Sequence, residues 1–500
     1  MFLPGNRGFD EYLGVPYSDD MGGARATPCP PFNEKKSTNT KTKTTSSSSS
    51  YQKQAWFEDY CAAGFCEDKL KEQQRRLHLN NDNKKKTCHH STDPAGCFLP
   101  LVYQNRLGNG ILNTTVLEQP LDFTHLAEKY TNFITNFINR HAADPFFLYV
   151  PFSHVHTTDP LQPEEQYAGC NFKNTTNRGS FGDALHEVDW IIGNLIKTLK
   201  NNNLTNNTLI LFTGEFCVSK NDCLNYHEIF ILLYSSHSYI YEPFSWNSFF
   251  FLLFWNHTGD NGPWMVKGKS GGSTGLLYGR EAGYWNVGKG STWEGGIHEA
   301  AFAHWPGTIT PQTKSDEITS SLDLFPTMSA LLNISLPTNV VYDGKNMLPI
   351  LFDQGTSEHN DGLFFYGGGG AVACTWTGPS AMRYGAYKAH FETGPGLSGC
   401  KGCQAKCYCL DPTNKSNCNI LLFNIQEDPS EAYPLTLPDI TSEIIDRLQN
   451  EIKTFVYGSP LIPPPDLPDE GPDKYGVCCD RKKGCDCSGP LPQPPEKINL

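Results

Sequence analysis

No stretch of this chain is long and apolar enough to cross a membrane as a helix. The most apolar run, Phe249 to Trp255, is short, and Glu242, Pro243 and Asn247 break the residues before it, whereas a span needs about 20 apolar residues. The first residues, Met1-Phe2-Leu3-Pro4-Gly5-Asn6, lack a basic segment followed by an apolar core, which excludes a signal peptide at this position. Basic residues are outnumbered, 40 Lys and Arg against 53 Asp and Glu for a net charge of −13, and they form no amphipathic stripe. Nucleic acid is excluded as a partner on that ground.

What the chain does have is cysteine. Eighteen cysteines, many of them near the C-terminus, stand beside sequons at Asn113, Asn174, Asn203, Asn206, Asn256, Asn333 and Asn414. Together they indicate an oxidising, glycosylating compartment, lysosomal or secreted, and a chain of that type without a signal is expected to have lost its start. Five hundred residues exceed one small core and suggest a large α/β domain plus a smaller one.

The residues that carry chemistry lie between Thr258 and Gly296. Asp260-Asn261-Gly262-Pro263 places a carboxylate and an amide side by side, hard oxygen ligands suited to Ca²⁺ or Mg²⁺, with a Gly-Pro turn after them. Lys289 stands between Gly288 and Gly290, so its backbone can approach a ligand closely while its ammonium acts as a point charge on an oxyanion. A cation site and a fixed positive charge together describe a site for a sulfate or phosphate ester.

Thr258-Gly259-Asp260-Asn261-Gly262-Pro263 followed by Gly288-Lys289-Gly290-Ser291-Thr292-Trp293-Glu294-Gly295-Gly296 resembles the second half of the signature of the sulfatase family, of the arylsulfatase type. The resemblance implies an alkaline-phosphatase-like α/β fold: a large mixed β-sheet between helices, over residues 1–355, and a smaller C-terminal antiparallel sheet packed with a helix, over 356–500. It also implies a formylglycine nucleophile and a divalent cation. Arg7-Gly8-Phe9-Asp10 and Gly14-Val15-Pro16-Tyr17-Ser18 resemble the segment that follows the nucleophile region. The family's Cys-x-Pro-Ser-Arg sequence, its two upstream aspartates and its Gly-Lys-Trp-His do not occur here, so the formylglycine is expected upstream of Met1 and this chain is expected to be inactive alone. His298 stands where the family commonly has Arg.

Along the chain, Glu34 to Gln54 is rich in Lys, Thr and Ser and reads as a disordered surface insertion. Cysteines 29, 61, 66, 88 and 97 bracket it, and disulfides are expected to tie it down, with zinc the alternative. Leu126, Tyr130, Phe133, Ile134 and Phe137 predict a helix capped by Asp122 and Thr124. Phe146 to Val150 reads as a strand buried on both faces of a parallel sheet, with His154 and His156 at its C-terminal end, where open α/β sheets bind ligands. The resemblance gives His156 the contact to the sulfate ester. Leu185, Val188, Ile192, Leu195 and Leu199 form one face of a second helix, on which Asp183, Glu187 and Asp189 are expected to be solvated or capping. Thr208 to Phe212 is a strand leading to Thr213-Gly214, where the family's Asp-Asn would follow; instead Glu215 to Gly259 intervene, an expected insertion with the composition of a translated intron. Phe364 to Tyr366, Met382 to Ala389 and Leu421 to Asn424 predict the small antiparallel sheet, with a final helix from about Ile440 to Phe455. Cys400, Cys403, Cys407 and Cys409, and Cys478, Cys479, Cys485 and Cys487, are expected in disulfides rather than zinc sites.

The expected function is hydrolysis of sulfate esters. Lys289 and His156 bind and act on the substrate, Asp260 and Asn261 bind Ca²⁺ or Mg²⁺, and the substrate is a sulfated small molecule, glycolipid or glycan. The alternatives are a phosphoester hydrolase of the same superfamily and a non-catalytic binder of sulfated glycans or lipids. A homo-oligomer is left open, and Asn113, Asn174, Asn203, Asn333 and Asn414 are the glycosylation candidates.

Overall fold

The structure is a computed structural model. It describes residues 3–16, 24, 29, 98–156, 166–214, 228–233, 250–254, 262–263, 272–277, 279, 287–353, 355–359, 362–366, 379–393, 406–407, 421–436, 446, 450, 478–480, 482, 485 and 487. Several expectations lie outside these residues: the 34–54 insertion, Cys61, Cys66, Cys88 and Cys97, the Asp260-Asn261 pair, Asn256 and Asn414, Cys400, Cys403 and Cys409, and the final helix apart from Asp446 and Asn450, which are helical.

An antiparallel ribbon opens the fold, formed by β1 (Glu11–Gly14), β2 (Leu101–Arg106) and β3 (Leu112–Glu118). After it, Asp122 accepts the Thr124 N–H (3.0 Å) and starts the turn that feeds α1 (Leu126–Arg140). Helix α1 buries Ala127, Ile134 and Ile138 beside Ile191, Leu195 and Leu199 of α2 (Gly179–Asn201). The apolar spacing of 3 and 4 residues puts these side chains on one face of each helix.

Both helices cover one side of a six-stranded sheet. Its strands are β4 (Phe147–Pro151), β5 (Thr208–Gly214), β6 (Glu228–Leu233), β7 (Phe250–Phe254), β8 (Glu299–His304) and β9 (Lys314–Ser315), in the order β4-β6-β5-β8-β7-β9. A one-turn helix, α3 (Glu294–Ile297), precedes β8, and α4 (Leu324–Leu331) and α5 (Leu348–Asp353) cover the other side. The alternation of β5 explains the layering. Ile210 and Phe212 face α1 and α2, and Leu209 and Leu211 face α4 and α5, as the two-residue period of a strand requires.

Strand β4 corrects an expectation. It alternates, with Leu148 and Val150 buried and Phe147 and Tyr149 each 36% exposed, because α1 and α2 cover one of its faces only. Its neighbour is also antiparallel: β6 pairs antiparallel with both β4 and β5, which makes those two run in the same direction. Strands β6 and β7 both come from the 215–259 segment.

The C-terminal part is the four-stranded antiparallel sheet β10-β11-β12-β15: β10 (Leu363–Phe365), β11 (Ala381–Tyr384), β12 (Tyr387–His390) and β15 (Leu421–Asn424). The small ribbon of β13 (Glu392–Thr393) and β14 (Lys406–Cys407) lies alongside it in sequence. Disulfides join Cys29 to Cys170, Cys478 to Cys485 and Cys479 to Cys487. The Cys478, Cys479, Cys485 and Cys487 group is thus paired as expected, whereas Cys29 reaches forward to the loop before α2. Asp323 is structural: it accepts the N–H groups of Ser320 and Lys345 (both 2.7 Å) and contacts His359 Nε2 (2.9 Å).

Leu195 is fully buried between the helices and the sheet, so Leu195→Ala is expected to cost about 2–5 kcal/mol, read as a lower denaturant midpoint with unchanged slope. At the end of β8, burial pushes the His304 imidazole down to about 4. Because the unfolded chain takes up that proton near pH 6.5 and the folded chain does not, stability is present above about 6.5 and is lost as pH falls toward about 4. Chemical denaturation between pH 7 and 4 should show that loss, and His304→Leu should flatten it.

Candidate active site

Register places the candidate loops along one edge of the central sheet. Pro151, at the C-terminal end of β4, pairs with Glu228, which pairs with Thr213 near the end of β5, and Gly214 pairs with Ala300 at the start of β8. On β7, Phe254 pairs with Glu299. The turn bearing His154 and His156, the end of β5, the end of β7 that leads toward Asp260 and the Lys289 segment before β8 therefore share an edge. Strands β4 and β8 stand three spacings apart, roughly 14 Å between axes.

His154 and His156 differ in their surroundings. His154 is buried, its Nε2 lies 2.9 Å from Glu187 Oε2, and its ring rests on Tyr167 with centroids 4.5 Å apart. Glu187 also accepts the Gly169 N–H through both oxygens (2.9 and 3.0 Å). His154 is thus a buried partner of the loop that precedes α2, and His156 is the half-buried one of the two. Glu187, expected to be solvated or capping, is instead 1% exposed and joins β4, α2 and the 166–170 loop. Asp183 is also buried. It gathers the N–H groups of Asn174, Thr175 and Thr176 at 2.7–3.1 Å and so caps a loop, not its own helix.

The two halves of the 258–296 motif meet backbone to backbone. The Gly262 N–H donates to Gly296 O (3.0 Å) and the Lys289 N–H donates to Pro263 O (3.0 Å). A Cβ at Gly262 would lie 2.0 Å from Gly295 O, so glycine is needed there for the two segments to touch, and one at Gly295 would lie 2.3 Å from Leu277 O, so glycine there lets the turn at Leu277 pack against the same segment. Gly290 turns the chain after Lys289 with φ +82°, a conformation open to glycine at little cost. Lys289 itself is half-buried. Asp260 and Asn261 lie outside the described residues, immediately before Gly262.

A cluster of buried charges backs this segment. The Lys388 ammonium, fully buried on β12, donates to Glu294 Oε1 (2.6 Å) and lies 3.1 Å from Glu431 Oε1; the His390 ring contacts the same Glu431 oxygen (2.7 Å). Glu431 Oε2 accepts the Glu294 N–H (2.6 Å), and His298 Nδ1 lies 3.3 Å from Glu294 Oε2. Burial raises the Glu294 carboxyl, but the Lys388 ammonium and His298 outweigh it and hold the group well below the usual carboxylate range. Burial lowers Arg383 to about 10 despite Glu294 and Glu431. Burial also lowers His390, against the pull of Glu431. Sequence reasoning missed Lys388, His390 and Glu431. The spacing of Lys388 and His390, two residues apart on a strand, was the available sign of two polar side chains on one face; Glu431 carried none.

The described residues thus place loops at one sheet edge and a glycine-packed lysine segment braced from behind. The sulfatase family model matches residues 34–215, and the model for the C-terminal region of aryl-sulfatase matches residues 357–487. The first match ends at the residue where the 215–259 insertion is expected to begin. Rat steryl-sulfatase is 30% identical over 347 residues, covering 68% of this chain and 50% of its own length. Bovine arylsulfatase A is 27% identical over 485 residues, covering 96% of this chain and 70% of its own length. The crystal structure of PsFucS1 sulfatase from Pseudoalteromonas sp. shares the fold, with a TM-score of 0.53 at 18% identity over 91% of this chain and 67% of that one. The chain belongs to the sulfatase family. It spans about half the length of the steryl-sulfatase that it matches.

Gly262→Ala is expected to push Gly262 and Pro263 away from Gly295 and Gly296 and to cost about 1–3 kcal/mol, read as a lower melting temperature. An unchanged melting temperature would show that the contact is not needed.

Proposed function

We propose that this chain supplies the cation-binding and anion-binding half of a sulfate ester hydrolase. The observation that carries the proposal is the pair of backbone hydrogen bonds joining Gly262 to Gly296 and Lys289 to Pro263, which holds the Lys289 segment beside the residues that follow Asp260 and Asn261. Lys289 would bind the sulfate group as a fixed positive charge. His156, on the same sheet edge, would contact the ester oxygen or protonate the leaving alcohol. Asp260 and Asn261, one anionic and one neutral oxygen donor, fit a hard cation such as Ca²⁺ or Mg²⁺, which when bound polarises the sulfate oxygens. The formylglycine nucleophile of the family has no matching sequence among these 500 residues, so the present residues bind and orient the ester. The substrate class is a sulfated small molecule, glycolipid or glycan.

The disulfides support a lysosomal or secreted setting. Among the glycosylation candidates, Asn174, Asn203 and Asn333 are exposed with φ of 58°, 58° and 53°, whereas Asn113 is half-buried on β3. Residues 215–259 supply β6 and β7 and are read as an insertion into a sulfatase sheet; sequencing of mature transcripts should show most copies lacking the codons for Glu215 to Gly259.

In a version joined to an upstream sulfatase segment and lacking that insertion, Lys289→Ala is expected to lower kcat/KM for 4-nitrophenyl sulfate by about 10² or more. Asp260→Ala removes a ligand and a compensating charge, and should weaken divalent binding more than Asn261→Ala, with partial rescue by added Ca²⁺. Wild-type kinetics in Lys289→Ala, or faster turnover of 4-nitrophenyl phosphate than of the sulfate, would overturn the assignment.

A further inference from the structure

We propose that Lys388 is a positioning residue: from the C-terminal sheet it braces the segment that carries Lys289 and so sets where that ammonium stands relative to Gly262 and Pro263. The inference rests on the reading of Lys289 as the anion-binding cation.

The segment from Val287 to Ile297 is held on two sides. On one side it meets Gly262 and Pro263 through the two backbone hydrogen bonds described above. On the other it packs against the C-terminal part of the chain, with the turn at Thr274 to Gly279 also beside Gly295 and Trp293. Trp293 packs against the His390 ring (centroids 4.4 Å apart) and the Phe423 ring (5.8 Å), and Val287 shares that cluster with Leu421 and Ile425. Thr292 Oγ1 lies 3.3 Å from His390 Nδ1. Apolar packing of this kind tolerates sliding. Directional constraints come from the Glu294 N–H, which donates to Glu431 Oε2 (2.6 Å), and from Lys388, whose ammonium bridges Glu294 on the segment and Glu431 beyond β15 with no exposure to water.

Two features mark the bridge as more than a chance ion pair. Glu431 is held at φ +51°, a backbone conformation that costs a non-glycine residue energy and persists only where its surroundings impose it. Both of its carboxylate oxygens are used, one by Lys388 and His390 and the other by the Glu294 N–H. A buried pair of this kind adds little net stability relative to an apolar replacement, but it fixes geometry, because each charge is costly unless its partner stays within hydrogen-bond reach. Glu294 lies five residues after Lys289, across one tight turn, so a shift of the bridge moves the lysine.

The test is hydrogen exchange and ligand binding on the full chain. In Lys388→Met the amides of Gly262, Lys289 and Gly296 should exchange at least about tenfold faster while the α1 and α2 amides keep their protection; Lys388→Arg, which keeps the charge, should remain near wild type. If Lys388→Met does not fold, Glu294→Gln with Lys388→Met, which removes both members of the pair, carries the measurement. Affinity for 4-nitrophenyl sulfate in the presence of Ca²⁺, measured by calorimetry, should fall in Lys388→Met, and adding Lys289→Ala should then cost nothing further, because the two act through one group. Unchanged exchange at the three amides in a folded variant, or losses that add in full, would overturn the proposal. Faster exchange with Lys289→Ala binding the ester as tightly as wild type would instead refute the anion-site reading of Lys289 and leave the brace standing.

Discussion

The contact on which the candidate site depends is that between the backbone at Gly262 and the backbone at Gly295 and Gly296. A side chain cannot be accommodated at Gly262, where a Cβ would fall well inside the van der Waals distance of the Gly295 carbonyl oxygen. Chain segments separated by more than thirty positions in sequence are brought to hydrogen-bond distance as a result, and the Lys289 segment stands beside Gly262 and Pro263. The proposed site requires that proximity, because a sulfate group is small and its oxygens would have to meet both charges at once.

The C-terminal sheet is tied to this arrangement electrostatically. Burying an ammonium and two carboxylates is unfavourable unless they stay together, and here they come from parts of the chain that the sequence separates: Glu294 before β8, Lys388 on β12 and Glu431 after β15. The smaller sheet is therefore part of the wall of the site. A similar device operates at the other end of the sheet edge, where Glu187 on α2 holds His154 and the Gly169 N–H. In both places a buried carboxylate fixes a loop by accepting from a side chain and from a backbone amide together.

The helices α1 and α2, strand β5 and the small C-terminal sheet were legible because each repeats apolar residues with the period of its own secondary structure. Where expectation and structure part, the cause is tertiary. Strand β4 has an apolar sequence that suits burial on both faces, yet Phe147 and Tyr149 are partly exposed because α1 and α2 cover one face only. Glu187 sits in a helical register that reads as polar, and its burial follows from the approach of His154 and Gly169, which no local pattern encodes.

The sequence by itself determined the chemistry on offer: an acid-amide pair, a lysine between glycines, a histidine after a strand, and cysteines suited to disulfides. Those properties belong to residue types and short spacings, so they survive in one dimension. Only the tertiary structure decided which of these residues share a sheet edge, which glycines are needed for backbone contact, and which charges are buried as partners. Strand register and the desolvation of charged groups set those outcomes, and both arise between segments far apart in the chain. Lys388 and Glu431 show the difference most plainly. Each reads as an ordinary surface residue until folding removes water from around both, and from then on neither charge can be moved without the other.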